Sequence, residues 1–334
     1  MRSGSVNDWM IYRGGEEPHE GVARLPEPPP WRAFYDDEPT PFDRDADHGL
    51  SRRWPLRAAA YRPDEQTLEM VNTALYLRRP LLVTGDPGVG KSSLAYAVAR
   101  ELRLGSVLRW PITSRSTLKD GLYRYDAIGR LEEVNSGAEP APDRIGQYLR
   151  LGPLGTALAP YELPRVLLVD EIDKGDLDLP NDLLDVFEEG TYEIPELARL
   201  ADVVDTVGVR PADDGARVRV TGGRVRCRAF PFTVLTSNGE RDFPPAFLRR
   251  CVRLHLPAPD EERLRAIVHA HLGPDAAGHA EALIARFLDR RGTGELATDQ
   301  LLQAVYLARH AAGATDAGRE HVADLVLQYL NRAH

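Results

Sequence analysis

The residues best suited to chemistry begin with Gly85-Asp86-Pro87-Gly88-Val89-Gly90-Lys91-Ser92, followed by Ser93. Glycines at this spacing let a backbone wrap phosphate oxygens, and a helix starting at the end of the loop aims its first amides at the same anion. Lys91 is placed to meet the β- and γ-phosphates, and the Ser92 hydroxyl to ligate Mg²⁺. The setting is the required one, because residues 80–84 read as a buried strand and residues 92–102 as a helix. A glycine-rich connector that matches by chance is the alternative.

A second group is Val166-Leu167-Leu168-Val169-Asp170-Glu171, an apolar strand that ends in two carboxylates. Asp170 can hold Mg²⁺ through water, since hard cations take oxygen ligands, and Glu171 can polarise an attacking water. The plain reading is two acids that end a strand, and Asp173 and Lys174 after them read as surface or subunit-contact residues. Val234-Leu235-Thr236-Ser237-Asn238 is a third such strand, and the Asn238 amide can reach both a γ-phosphate and the attacking water. Asparagine also ends many strands without further purpose. The fourth group closes on Leu248-Arg249-Arg250-Cys251. A guanidinium that reaches a γ-phosphate contributes on the order of 10³ to 10⁵ in rate. Here it would project toward the nucleotide of an adjacent protomer, with Arg250 ahead of Arg249. A solvated or salt-bridged arginine pair is the competing reading.

These groups need elements to hold them. Apolar runs at 80–84, 107–112, 166–169, 232–236 and 252–256 alternate with helical patterns such as 64–77, where Asp64 can cap, and 177–187. Such alternation implies an open parallel sheet with helices on both faces. Residues 217–227, with Thr221-Gly222-Gly223 as the turn, suggest a β-hairpin within an insert at about 191–230. After Pro257, helical patterns at 260–272, 276–290, 298–311 and 318–330 make a small lid-like domain. The expected division is a Pro-rich arm at 1–57, an α/β core at 58–257 and a helical lid at 258–334. The arm carries Trp31, Phe34, Tyr35, Phe42 and Trp54, which either dock on the core or a neighbour or remain in a disordered tail. Its acidic run, residues 36–47, reads as a solvated segment.

Composition narrows the partners. A net charge of −9 over 334 residues argues against coating DNA, so protein partners are expected and nucleic acid is not. Two cysteines, Cys227 and Cys251, lack zinc-ligand spacing and fit a reducing cytoplasm. Neither a signal peptide nor a membrane-spanning run is apparent.

Taken in order, the four groups and the helical tail resemble the AAA+ ATPases. Gly152-Pro153-Leu154, Asp170-Glu171-Ile172-Asp173-Lys174 and residues 183–190 resemble the MoxR-type branch. The resemblance covers residues from 61 onward. It implies a P-loop three-layer α/β sandwich with a five-stranded parallel sheet of order 5-1-4-3-2, plus a C-terminal helical lid. It also implies ATP and Mg²⁺ as cofactors, a homo-oligomer such as a hexameric ring, and a partner bearing a von Willebrand factor A-like domain. Residues 75–80, 109–114 and 237–241 are similar to ATPases of multi-gene bacterial conflict systems, which implies an effector encoded nearby. Two departures stand out. Asp299, in residues 296–301, lies where relatives often carry a lid cation, and Tyr123 and Tyr125 lie where related motors grip substrate, although buried packing is the commoner fate of tyrosine.

Three functions compete. One is a ring ATPase that remodels a protein. A second is an ATP-gated switch with slow turnover, which Asp299 favours. The third is a nucleic-acid motor, kept open only by the strip Arg217, Arg219, Arg224, Arg226 and Arg228.

Overall fold

Five short apolar runs become one parallel sheet: β1 (Leu81–Thr84), β2 (Leu108–Pro111), β3 (Val166–Asp170), β4 (Phe232–Ser237) and β5 (Val252–His255). The computed structural model describes residues 9–15, 17–45, 58, 61–135, 142–273, 277–291 and 298–310. Strand order is β5-β1-β4-β3-β2 and all four pairings are parallel, the 5-1-4-3-2 arrangement expected. Both faces of the sheet are buried. Leu81, Val83, Leu168 and Val234 point into one core with Val71, Leu94 and Val98, while Leu82, Leu167, Val169 and Leu235 point into another with Leu154, Leu183 and Phe187. Alternation of side chains along each strand produces this split, and helices supply the two outer layers.

On the first face lie α1 (Glu65–Leu77) and α2 (Lys91–Glu101). Asp64 caps α1, its carboxylate accepting from the Thr67 amide at 2.8 Å. On the second face lies α3 (Leu179–Glu189), and α4 (Pro245–Arg250) leads into β5. The helices α5 (Glu261–Leu272), α6 (Ala277–Arg291) and α7 (Thr298–His310) pack around their own core of Leu264, Val268, Ile284, Phe287, Leu301 and Val305. The expected helix at 318–330 and Leu296-Ala297 lie outside the described residues.

Between α3 and β4 the hairpin of Val218–Thr221 and Arg224–Arg226 gains two further strands, Thr191–Glu193 and Thr206–Val209, as an antiparallel four-stranded sheet. The N-terminal arm lies along the core. Ile11 and Tyr12 donate their amides to Asn72 Oδ1 at 2.7 and 3.0 Å, and Arg13 and Gly15 donate theirs to the buried Glu101 carboxylate at 2.6 and 2.7 Å. Phe34 stacks on Phe230, and Phe42 meets Tyr161 edge-on. Trp54 lies outside the described residues. The acidic run is not simply solvated: Glu38 pairs with Arg219 at 2.8 Å, Asp37 with Arg226 at 3.7 Å, and Asp36 with Arg228. The arginine strip is therefore partly neutralised by the chain's own arm, which opposes phosphate-dominated binding there.

Candidate nucleotide and metal site

The loop between β1 and α2 is shaped by glycine where no other residue fits. Gly85 has φ 144° and a Cβ there would run into the Leu256 carbonyl, while Gly90, the residue before α2, has φ 98°. Pro87, Gly88, Val89, Gly90, Lys91, Ser92 and Ser93 line a cavity of about 530 Å³. Gly85 and Asp86 instead offer their carbonyls to the Lys91 ammonium, at 2.6 and 2.9 Å. Burial lowers the Lys91 pKa, and the charges of Asp173, Asp86, Glu171 and Asp170 oppose that shift. The ammonium is 5 to 6 residues from its carbonyl partners in sequence and sits at the start of a helix, so cation, amides and helix dipole share one side of the cavity.

Asp170 ends β3 facing that loop and is only 7% exposed. Its Oδ1 accepts from Ser92 Oγ at 2.7 Å and from Thr236 Oγ1 at 2.9 Å. Its Oδ2 accepts from Arg109 Nε at 3.0 Å and Nη2 at 2.6 Å. Burial pushes this carboxyl upward, but the donors Ser92, Arg109 and Thr236 outweigh it and hold the pKa below the usual value. Glu171 follows in the left-handed region, φ 61° and ψ 51°, a conformation uncommon for a residue with a side chain. Its amide is anchored on Thr236 Oγ1 at 2.9 Å, and its carboxylate meets Lys174 at 2.9 Å. Thr236 thus fixes both acids with one hydroxyl.

Asn238 and Thr236 line the same cavity as Asp170 and Glu171. Asp173 is not the surface or subunit-contact residue its sequence neighbourhood suggests. It is 3% exposed, and its Oδ2 accepts from Ser237 Oγ and the Asn238 amide, both at 2.9 Å, and from the Glu240 amide at 3.2 Å. The carboxylate buttresses the loop that carries Asn238. Tyr123 is also buried, its hydroxyl donating to Glu196 at 2.8 Å, which removes it from the gripping role. Tyr125 packs half-buried against the same core.

Arg249 and Arg250 do not line this cavity. Arg250 Nε donates to Glu188 Oε1 at 3.1 Å, and the same oxygen accepts from Arg32 of the arm at 3.0 Å. The Arg249 side chain is exposed at the end of α4, while its carbonyl accepts from Arg79 at 3.2 Å. From α5 and α7, Arg263, Ile267, His271 and Asp299 also line the cavity, joined by Tyr61 and Arg62 from before α1. Among the lining residues that motif reading missed are Arg109, Arg263 and Tyr61, which no motif marks, and Thr236, which sits inside the strand singled out for Asn238.

The residues suit a divalent cation carried on phosphates. Ser92 and Asp170 offer hard oxygen donors, and among the described residues no cluster of three His, Cys, Asp or Glu gathers that could hold a metal alone. Such a donor set matches Mg²⁺, which keeps several waters and takes one or two protein oxygens beside substrate phosphates.

A phosphate loop between β1 and α2, paired acids at the end of β3, a polar tip on β4 and the β5-β1-β4-β3-β2 order define a P-loop ATPase of the AAA+ class. The chain belongs to the family described as AAA domain (dynein-related subfamily), whose model matches residues 80–251, just over half of the 334. A search of curated proteins finds no match. Among the described residues no helix is long and apolar enough to cross a membrane.

Proposed function

We propose that the chain hydrolyses Mg-ATP and uses the cycle to remodel or activate a partner protein. The observation that carries this reading is the convergence of Lys91, Ser92, Asp170, Glu171 and Asn238 on one cavity, with Ser92 Oγ 2.7 Å from Asp170 Oδ1. When bound, Mg²⁺ would offset the negative charge of the phosphates as it builds in the transition state. Ser92 and Asp170 would hold it, the latter through water. Lys91 leaves its two loop carbonyls and donates to the β- and γ-phosphates. Glu171, released from Lys174, orients and polarises the attacking water, and Asn238 hydrogen-bonds both that water and the γ-phosphate. Arg250 of one subunit, or its exposed neighbour Arg249, supplies the guanidinium that completes the next subunit's site.

The MoxR-type resemblance supports an ATP-dependent homo-oligomer, a hexameric ring in its closed form, acting in the cytoplasm with a von Willebrand factor A-like partner. Similarity to conflict-system ATPases supports an effector from an adjacent gene. The second reading, a slow ATP-gated switch, is favoured by Asp299, a carboxylate on the cavity wall where a cation would stabilise the γ-phosphate. ATPase rate per subunit against protein concentration separates the two. Turnover completed by a neighbour's arginine gives a steep rise. A flat, negligible rate beside ATP-dependent oligomers supports the switch and contradicts the remodelling reading.

A further inference from the structure

Four donors crowd onto the Asp170 carboxylate, and a carboxylate has about four in-plane lone-pair places. Ser92 and Thr236 take Oδ1, and both prongs of Arg109 take Oδ2. A metal-bound water that reaches Asp170 must therefore displace one of them. Ser92 does not conflict, because its proton points to Asp170 while its oxygen lone pairs are left to ligate. Thr236 is fully buried and also holds the Glu171 amide, so moving it would disturb both acids. Arg109 is different. It stands on β2, an edge strand of the sheet, its side chain is 40% exposed, and it already lines the cavity.

We propose that Arg109 is a positioning residue that guards Asp170. Its guanidinium balances the buried carboxylate and yields Oδ2 to the water of an incoming divalent cation, so that metal binding is set by competition with an internal cation. This rests on the Mg-nucleotide reading above. The sign of the effect separates a guard from a brace. If Arg109 competes with the metal, removing it tightens metal binding. If it only holds Asp170 in place, removing it loosens the carboxylate and weakens metal binding.

The test is Mn²⁺ binding, read by electron paramagnetic resonance, to the full chain loaded with one equivalent of ADP. Arg109→Gln is expected to lower the Mn²⁺ midpoint about tenfold, the scale of one charge-assisted hydrogen-bonded competitor. Arg109→Lys, which keeps the charge but not the two-pronged contact, should fall between. Adding Asp170→Asn to Arg109→Gln should abolish the gain. An unchanged or raised midpoint in Arg109→Gln, beside normal wild-type binding, overturns the guard. Should Arg109→Gln not fold, Arg109→Lys decides: a lower midpoint supports the guard and an equal or higher one overturns it. Wild-type protein that holds ADP but binds no Mn²⁺ overturns the underlying metal reading instead.

Discussion

Glu171 shows how the site stores its geometry in a single residue. Its left-handed backbone is tolerated because Thr236 fixes the amide, and the carboxylate is thereby turned out of the strand toward the cavity. With Glu171 as the base that activates water, Glu171→Gln should bind nucleotide normally and lower kcat by about 10² to 10⁴. Undiminished single-turnover hydrolysis in that variant would remove Glu171 from the role. The phosphate loop and the paired acids were legible in the sequence because each is contiguous, so spacing alone encodes the local shape. Arg109 was not, because its partnership with Asp170 depends on the parallel register that sets Pro111 beside Asp170. Asp173 was misread for a similar reason. Among Lys174, Asp176 and Asp178 it looks solvated, and its burial depends on donors more than sixty residues later.

At the scale of elements, the cap of α1 also touches the cavity wall. Asp64 accepts from Thr67 and sits 3.5 Å from Arg263 of α5. Partial burial pushes its carboxyl upward, yet the Thr67 hydrogen bonds and the Arg263 charge hold it below its ordinary value. A depressed folded pKa gives stability that is complete above the unfolded value, near 4, and is lost as pH falls through the lowered folded value. Asp64→Ala should therefore cost about 1 kcal/mol at neutral pH, with the gap to wild type closing in acid. Chemical denaturation at neutral and acidic pH checks this, and a gap that widens in acid would contradict it. The parallel sheet was readable because its three central strands are largely apolar and its edge strands, β2 and β5, keep apolar residues at alternate positions. The strands Thr191–Glu193 and Thr206–Val209 were not, being short and held by pairing with the hairpin and by burial of Tyr192, Val207 and Val209 in the core. The arm was readable in part: Phe34 and Phe42 dock on the core as aromatics can, while the capture of its backbone by Asn72 and Glu101 has no sequence signal.

Across the whole molecule, the site lacks an arginine from α4: Arg249 and Arg250 both lie off its cavity, the latter on Glu188. If a neighbour supplies it, Arg250→Ala should bind nucleotide but hydrolyse it at least about a hundredfold more slowly, within the range for a lost arginine finger. Mixing that variant with Lys91→Ala should restore activity, because one subunit brings an intact loop and the other an intact arginine. No recovery on mixing would argue against a shared site, and the same behaviour from Arg249→Ala would name the other arginine.

All of this depends on one crevice that binds triphosphate and metal through Lys91, Ser92 and Asp170. The most direct measurement is calorimetric titration of ATP with Mg²⁺ into wild-type protein and into Lys91→Ala. Saturable heat for wild type, weakened at least about tenfold in the variant by loss of a charge-assisted contact, is the expected result. The same affinity in both proteins, or no heat with wild type, would contradict the account.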